Sequence, residues 1–385
     1  MIIGIPKEIM HGEDRVSATP ETCAKMVADG HTVLVETGAG EGAYYHDEGY
    51  RKAGAELVSG AREVYERAEL ILKVKEPLFN QELGLHEVDL MRPGQYLITF
   101  IHPASPANHE MVKNMAKKGV IALTLDGVPR ISRAQSMDAL TSMSTCAGYK
   151  GILIAANLLP SFIPQIFSAV GVVKPLNALV IGVGVAGLQA LATAKRLGAV
   201  TYAVDTRAAA REQAASLGAK VIDIGIPEEL AQGAGGYAKA LSHEMLEKER
   251  SIIAPELAKM DIIFLSALVP GRLAPVIITR EMLKVMKPGS VIVDISIDQG
   301  GNCEATVPGE VADAEKVHVV GIKNIPGMLP ASSTWMFSQN IYNLVRYLVR
   351  DGEIRLDTGD EIVRSILTTK DGQVVHEGAR EAMGL

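Results

Sequence analysis

The chain has 385 residues, of which 48% are hydrophobic and 22% charged, and its formal net charge at pH 7 is −7. This length predicts about two domains, because a single core rarely grows so large. The negative charge argues against nucleic acid as a main partner, since phosphate binding needs a clustered basic face. Cys23, Cys146 and Cys303 lie far apart and form neither a disulfide framework nor a CxxC metal motif. We therefore expect buried thiols, no metal site and a reducing, cytoplasmic environment.

Residues 151–173 carry no charge and would be long enough to cross a bilayer as one helix. Pro160 and Pro164 interrupt this stretch, however, and should end any helix near Leu159. The start of the chain also lacks the basic and apolar regions of a signal peptide. The sequence therefore predicts a chain without a membrane span.

Apolar runs alternate with helical segments through the first third of the chain. Strands are predicted at residues 2–5, 32–36, 70–74, 96–100 and 120–124. A helix should begin behind Thr19, an N-cap residue followed by Pro20, and further helices are expected at residues 62–68 and 110–118. Such alternation predicts βαβ units around a mostly parallel sheet.

A long helical stretch at residues 134–159 leads into a second series of the same kind. Its strands are predicted at residues 178–181, 201–205, 221–223, 261–265, 291–294 and 317–320, with a helix at 185–197. After a helix at residues 340–349, short runs around Ile362 and Val374 should pack back on the first domain. We expect an α/β fold with two doubly wound, Rossmann-like domains, separated by a cleft and joined by long helices. The predicted limits are 1–134 with 328–385, and 135–327.

The second series opens on the turn Gly182-Val183-Gly184-Val185-Ala186-Gly187 between a strand and a helix. In a dinucleotide site the first glycine permits the turn, the second admits the pyrophosphate and the third allows close helix packing. The helix N-terminus then faces the phosphates. Asp205 follows 18 residues after Gly187, near the ~20 expected for the carboxylate that meets the ribose hydroxyls. This context predicts a dinucleotide site.

Asp205 also favours NAD(H) over NADP(H), because a carboxylate repels a 2′-phosphate; Arg207, two residues on, weakens this inference. Ala267, Leu268 and Gly271 follow one strand of the same sheet, and residues 296–301 follow the next, so both loops should lie beside the nicotinamide. Residues 232–240 are rich in glycine and contain Tyr237. We expect them to form a mobile loop that closes over the cofactor.

One further motif of the chain is Pro129-Arg130-Ile131-Ser132-Arg133-Ala134-Gln135-Ser136-Met137-Asp138. Together with residues 4–8, the glycine turn and the tail around Asp360, it resembles the alanine dehydrogenase and proton-translocating transhydrogenase family. The resemblance covers nearly the whole chain and is nearer to NAD(H)-binding transhydrogenase alpha subunits. It implies a homodimer that works with an NADP-binding subunit and a membrane-embedded proton channel, and hence a place on the inner face of the membrane. It also implies that Arg130 and Gln135 contact the nicotinamide end and that Asp138 orients Arg130. Thr141 stands where that motif usually has serine.

A second set of residues resembles the alanine dehydrogenase branch instead. Arg15, Lys75, His102 and Asp298 occupy positions of that branch's substrate set. The resemblance implies that Arg15 and Lys75 hold a keto acid, that His102 is the general acid/base and that Asp298 lies beside the nicotinamide. Three of these residues also have a structural interpretation: an ion pair of Arg15 with Glu8 or Glu13, a charged strand end at Lys75, or a backbone cap at His102.

Chemistry separates these branches. Hydride transfer between two nicotinamides needs proximity and exclusion of water but no acid or base, whereas oxidation of an amino acid also moves protons and uses a positioned titratable group. The sequence favours the alpha subunit of a transhydrogenase that passes hydride from NADH to NADP+. An NAD-dependent alanine dehydrogenase and a non-catalytic NAD(H)-binding regulator remain alternatives.

Overall fold

The computed structural model describes residues 1–227, 230, 241–269 and 273–385. The chain divides into two compact units: Met1–Met143 with Pro326–Leu385, and Ser144–Ile325. The first crossing between the units lies inside a 20-residue helix, Ala139–Leu158. The second lies in a short 3-10 turn, Ile325–Met328, just before a 19-residue helix.

The N-terminal segment of the first unit alternates strands with helices. Its strands are β1 Ile2–Ile5, β2 Thr32–Glu36, β3 Glu56–Val58, β4 Leu70–Leu72, β5 Phe79–Asn80, β6 Leu85–His86, β7 Tyr96–Thr99 and β8 Ile121–Thr124. Its helices are α1 Pro20–Ala28, α2 Asp47–Lys52, α3 Ala61–Arg67, α4 Glu87–Leu90 and α5 His109–Lys117, with α6 Ala139–Leu158 after them. Thr19 is the N-cap of α1, as predicted, and exchanges hydrogen bonds with Thr22.

The second unit repeats this alternation. Its strands are β9 Ile166–Ser168, β10 Gly171–Val173, β11 Asn177–Ile181, β12 Val200–Val204, β13 Lys220–Val221, β14 Ile262–Leu265, β15 Val291–Asp294, β16 Val311–Ala314 and β17 Val317–Val320. Its helices within the described residues are α7 Val185–Arg196, α8 Ala208–Ser216, α9 His243–Leu257 and α10 Arg280–Leu283.

The tail consists of α11 Pro330–Leu348, β18 Val349–Arg350, β19 Glu353–Ile354, α12 Glu361–Ile366, β20 Leu367–Lys370, β21 Gln373–Val374 and α13 Glu377–Met383. The helix predicted at 340–349 was placed too late, since α11 begins at Pro330. Its first turns bury small polar residues such as Ser333 and Thr334, which give no apolar periodicity. β20 pairs antiparallel with β8, so the tail extends the first sheet.

The two main sheets share one strand order. In the first sheet β3, β2, β1, β4, β7 and β8 run parallel in that order, and β20 and β21 add an antiparallel edge. The second has the order β13, β12, β11, β14, β15, β17 and β16, with only β16 antiparallel. In both sheets the strand order reverses beside the first strand, which defines a doubly wound topology. The predicted pair of doubly wound α/β domains is confirmed.

The second sheet is buried on both faces, as a parallel sheet covered by helices should be. Val180 and Phe264 belong to the apolar cluster on one face, and Ile181 and Leu265 to the cluster on the other. A ligand is therefore expected at the carboxyl ends of the central strands, where the strand order reverses, and not on either covered face.

The uncharged stretch at residues 151–173 forms no continuous helix. α6 ends at Leu158, close to the predicted stop near Leu159, and β9 and β10 then form an antiparallel hairpin. Throughout the described residues of the chain, no helix has both the length and the hydrophobicity needed to cross a membrane.

Candidate functional site

The glycine turn lies at the carboxyl end of β11, where the strand order reverses. Gly182 has φ +87°, and a Cβ there would fall 2.6 Å from the backbone nitrogen of Ala267. A Cβ on Gly187 would fall 2.2 Å from the carbonyl oxygen of Gly182. The fold itself therefore requires glycine at both positions.

Gly184 differs from these two glycines. Its φ of −83° suits any residue, and a Cβ there would meet no described atom within 4 Å. The turn is therefore open at Gly184, which is the position expected to admit a pyrophosphate. The helix α7 begins at the next residue, Val185, and no described side chain caps its first amides. Those free N–H groups and the helix dipole favour an anion.

Asp205 follows the neighbouring strand β12 and is 5% exposed. Its Oδ2 accepts from the N–H of Val183 at 2.7 Å and from Nη2 of Arg207 at 2.9 Å. Its Oδ1 accepts from the backbone N–H and from Nε of Arg207, at 2.8 and 3.0 Å. The carboxylate therefore fastens the glycine turn and pairs with Arg207, and its acceptor sites are filled.

A buried amide joins the two loops expected at the nicotinamide end. The Oδ1 of Asn302 accepts from the N–H of Ala267 at 3.0 Å and from Oγ of Ser296 at 2.7 Å. Its Nδ2 donates to the carbonyl of Ala267 at 2.8 Å. Leu268 follows, half-buried. Sequence reasoning missed Asn302, because a lone asparagine behind two glycines reads as an ordinary turn residue.

Several residues of the predicted cofactor site lie outside the described residues. Gly271 falls in the segment 270–272, and Tyr237 falls in the segment 231–240 together with the whole predicted mobile loop at 232–240. These expectations stay predictions.

The corresponding edge of the first sheet holds a buried cluster of charges. Lys73 is fully buried, and its Nζ lies 2.9 Å from Oε1 of Glu87 and 3.2 Å from Oε2 of Glu8. Burial raises the pKa of Glu8 to about 7, against the opposing effect of Lys73. Oε1 of Glu8 also accepts from the N–H of Val74 at 2.6 Å, which fixes the segment after β4. The strand was predicted to reach residue 74, but β4 ends at Leu72.

His102 and Asp126 form a pair after β7 and β8. Nδ1 of His102 lies 2.7 Å from Oδ1 of Asp126, whose Oδ2 accepts from the backbone N–H of His102 at 2.7 Å. Burial lowers the pKa of His102, but the Asp126 carboxylate outweighs it and raises this pKa to about 9. His102 also adopts φ 49°, a left-handed conformation uncommon for a non-glycine residue. Asp126 was missed at the sequence level because its link to His102 spans 24 residues.

The other residues of the dehydrogenase-like set differ in their exposure and in their partners. Arg15 is buried, and its Nε and Nη2 donate to the carboxylate of Glu13 at 2.7 and 2.5 Å, one of the two ion pairs considered from the sequence. Lys75 is half-buried in the first unit, whereas Asp298 is exposed after β15 of the second unit. Lys75 and His102 follow the neighbouring parallel strands β4 and β7 and therefore lie at the same carboxyl edge of the first sheet. The segment of Arg15 reaches this edge through Ser17, whose hydroxyl donates to the carbonyl of Leu72 at 2.8 Å.

The motif around Arg130 is anchored by the tail of the chain. Nη2 of Arg133 lies 2.9 Å from Oδ1 of Asp360. The carbonyl of Ser136 accepts from the side-chain amides of Asn340 and Asn343 on α11, at 3.0 and 3.1 Å. These bonds span more than 200 residues, so the sequence pattern could not predict them.

The outer side of this motif is exposed. Asp138 is buried and accepts from the N–H and the hydroxyl of Thr141, at 2.8 and 2.6 Å, so threonine supplies the hydroxyl that serine would. Arg130 and Gln135 are exposed. The motif therefore has a fixed base and presents a cation and an amide to solvent.

Two doubly wound units, one of them carrying the glycine turn and Asp205, define a dinucleotide-binding oxidoreductase. Family models for the N-terminal and C-terminal domains of alanine dehydrogenase/PNT match residues 4–147 and 151–377. The chain belongs to this family, and it is an NAD-dependent oxidoreductase.

Known proteins of both branches are similar to the chain. An NAD(P) transhydrogenase alpha subunit of Rhodospirillum rubrum is 42% identical over 98% of each chain. Alanine dehydrogenase of Bacillus subtilis is 33% identical over 100% of this chain and 95% of its own. The solved transhydrogenase of Sinorhizobium meliloti is 36% identical, covers 98% of this chain and 99% of its own, and superposes with a TM-score of 0.82.

Proposed function

We propose that this chain is the NAD(H)-binding alpha subunit of a proton-translocating NAD(P) transhydrogenase and passes hydride from NADH to NADP+ on a partner subunit. The observation that carries the proposal is the similarity to the Rhodospirillum subunit, which covers 98% of both chains. The open position at Gly184 beside an uncapped helix supports dinucleotide binding at this turn.

The arrangement of the Arg130 motif supports the same function. Arg133 and Asp138 are used to fix the segment, which leaves Arg130 and Gln135 exposed on a rigid base. Such a base suits groups that must position a nicotinamide without reacting, since hydride transfer depends on orientation. Arg15, held by Glu13, is by contrast poorly placed to bind a substrate carboxylate.

A transhydrogenase alpha subunit works with partner chains. An exposed apolar hairpin, with Phe167 76%, Val170 99% and Val172 55% accessible, supports a homodimer, because such a patch on a monomer would be costly in water. The function further requires an NADP-binding subunit and a membrane-embedded proton channel, and with them a position of the chain on the cytoplasmic face of that membrane.

A free-standing NAD-dependent alanine dehydrogenase is the second candidate, and the His102–Asp126 pair favours it. Asp126 holds His102 as a triad carboxylate holds its histidine, which is the arrangement of a general acid/base. A transhydrogenase has no chemical use for this pair.

Hydride transfer measured with and without partners separates the two functions. Mixed with an NADP(H)-binding transhydrogenase subunit, the chain should transfer hydride between nucleotides, and Arg130→Ala or Gln135→Ala should lower the rate at least about tenfold. His102→Ala should stay within a few-fold, as should Arg364→Ala, which removes an exposed arginine of the same unit. Alanine oxidation by the chain alone, lowered ~10²–10⁴-fold by His102→Ala, would instead establish the dehydrogenase.

A further inference from the structure

One buried carboxyl group of the second unit has no role in the site described so far. Glu249 on α9 is 3% exposed and lies on the same helix face as Ile253 and Leu257. These two residues pack in the apolar cluster that contains Ile181 at the end of β11. Because α9 leads through a short turn into β14, it runs antiparallel to that strand, and its N-terminal half points toward the carboxyl edge of the sheet. Glu249 is thereby placed toward the edge that carries the glycine turn.

Within the described part of the chain, Glu249 has none of the hydrogen-bond donors that a buried carboxylate needs. No described residue donates a hydrogen bond to it, although buried polar groups are almost always bonded. The charges that act on it are those of Asp205 and Arg250. Arg250 is turned to the carbonyl of Val276, to which its Nε donates at 3.1 Å. Burial, reinforced by Asp205, raises the pKa of Glu249 to about 7.

The arginines on the neighbouring elements are also bonded to groups other than Glu249. Arg207 pairs with Asp205, and Nη1 of Arg211 on α8 donates to the carbonyls of Asp205 and Thr206, at 3.1 and 2.7 Å. Among the described residues Glu249 therefore has no donor for its lone pairs, and it lies near enough to Asp205 for the two charges to interact. The acceptor sites of Asp205 are by contrast already filled.

We propose that Glu249 is a second acidic recognition group of the dinucleotide site and accepts hydrogen bonds from the ribose hydroxyls of the adenosine half of NAD(H). The proposal rests on dinucleotide binding at the Gly182 turn. A ribose diol would supply donors to Glu249, and the end of β12, which carries Asp205, is where such a ribose lies in this topology. A 2′-phosphate would instead meet two carboxylates, which adds a second barrier against NADP(H).

Binding of NADH at Glu249 should also release a proton. Donors from the ribose stabilise the charged form of Glu249, so NADH binding lowers its pKa and releases a proton. The affinity for NADH should therefore rise as the pH increases through the range around 7. If only the ionised form binds well, the dissociation constant at pH 6 should be up to about tenfold higher than at pH 8, because the competent fraction falls by that factor.

Calorimetric titration of the full chain with NADH and NADPH at pH 6, 7 and 8 tests this. At pH 6, in buffers of different ionisation enthalpy, the wild type should release close to one proton per NADH, a readout that needs no variant. Glu249→Gln should abolish the proton release, flatten the pH dependence and improve NADPH binding relative to NADH. Glu244→Gln, an exposed glutamate on the same helix, should change none of these.

Unchanged proton release and nucleotide preference in folded Glu249→Gln would overturn the proposal, as would a wild type that releases no proton. If neither the wild type nor Glu244→Gln binds NADH at any pH, the dinucleotide site itself is wrong, and the role of Glu249 falls with it.

Discussion

Nδ1 of His102 lies 2.7 Å from Oδ1 of Asp126, and the carboxylate also accepts the backbone N–H of the same histidine. This double attachment holds His102 at φ 49°, so the side chain that a dehydrogenase would use for proton transfer is held in place before any substrate arrives. A left-handed histidine costs backbone energy, and the bonds to Asp126 offset that cost.

The His102–Asp126 pair should make stability depend on pH. The pKa of His102 is raised to about 9 in the fold, so the folded state holds a proton that the unfolded state releases above its ordinary value of 6.5. The pair's contribution is complete below pH 6.5 and declines as the pH rises to 9. Urea unfolding at pH 6 and pH 9.5 should show a larger stability loss for the wild type than for His102→Asn, in which asparagine tolerates the same φ. An equal loss of stability in the wild type and in His102→Asn would contradict a stabilising role of the His102–Asp126 pair.

The three glycines of the turn should separate stability from binding. Gly184→Ala should fold with the stability of the wild type within about 0.5 kcal/mol, since its Cβ meets open space, yet lose at least about tenfold in NADH affinity. Gly182→Ala should instead lose about 1–3 kcal/mol, because φ +87° is strained and its Cβ would strike Ala267. Thermal unfolding and NADH titration measure both. Normal NADH binding by Gly184→Ala would refute this path for the pyrophosphate.

Removing the buried lysine should be costly. Lys73→Met leaves Glu8 and Glu87 buried without their cation and should lower the free energy of unfolding by about 3–5 kcal/mol at pH 8. The loss should shrink toward pH 5, because burial raises the pKa of Glu8 to about 7 and this carboxyl group then takes up a proton. Lys75→Met, a half-buried neighbour, is the control and should change the free energy by about 1 kcal/mol or less. Equal changes in the free energy of unfolding for the two substitutions would show that the buried cluster of Lys73, Glu8 and Glu87 does not stabilise the fold.

Asp205 should determine the nucleotide preference. The wild type should bind NADH much more tightly than NADPH, and Asp205→Ala should narrow the gap by weakening NADH, because the N–H of Val183 loses its acceptor. The same change removes a carboxylate that would repel a 2′-phosphate. Fluorescence titration with both nucleotides measures the ratio, with Glu244→Gln as an unaffected control. A ratio unchanged in Asp205→Ala would place the preference elsewhere.

Much of this architecture could be predicted from the sequence because it depends on local patterns. The Thr19 cap, the two series of buried strands and the Gly182 turn all follow from the periodicity and from the conformations that proline and glycine permit. Doubly wound topology then follows from short right-handed crossovers between parallel strands. The start of α11 at Pro330 was not predicted, because the buried hydroxyls of Ser333 and Thr334 carry no apolar signal.

The burial and pairing of the charged side chains depend on the tertiary structure alone. A lysine after a strand reads as exposed, yet Lys73 is fully buried because Glu8 and Glu87, distant in sequence, neutralise it. Arg133 reads as one more cation of its motif until Asp360 reaches it. The sequence specifies where strands end and therefore where a site can lie. Which charges are paired there depends on neighbours that only folding brings within a few ångströms, where the Coulomb energy becomes large.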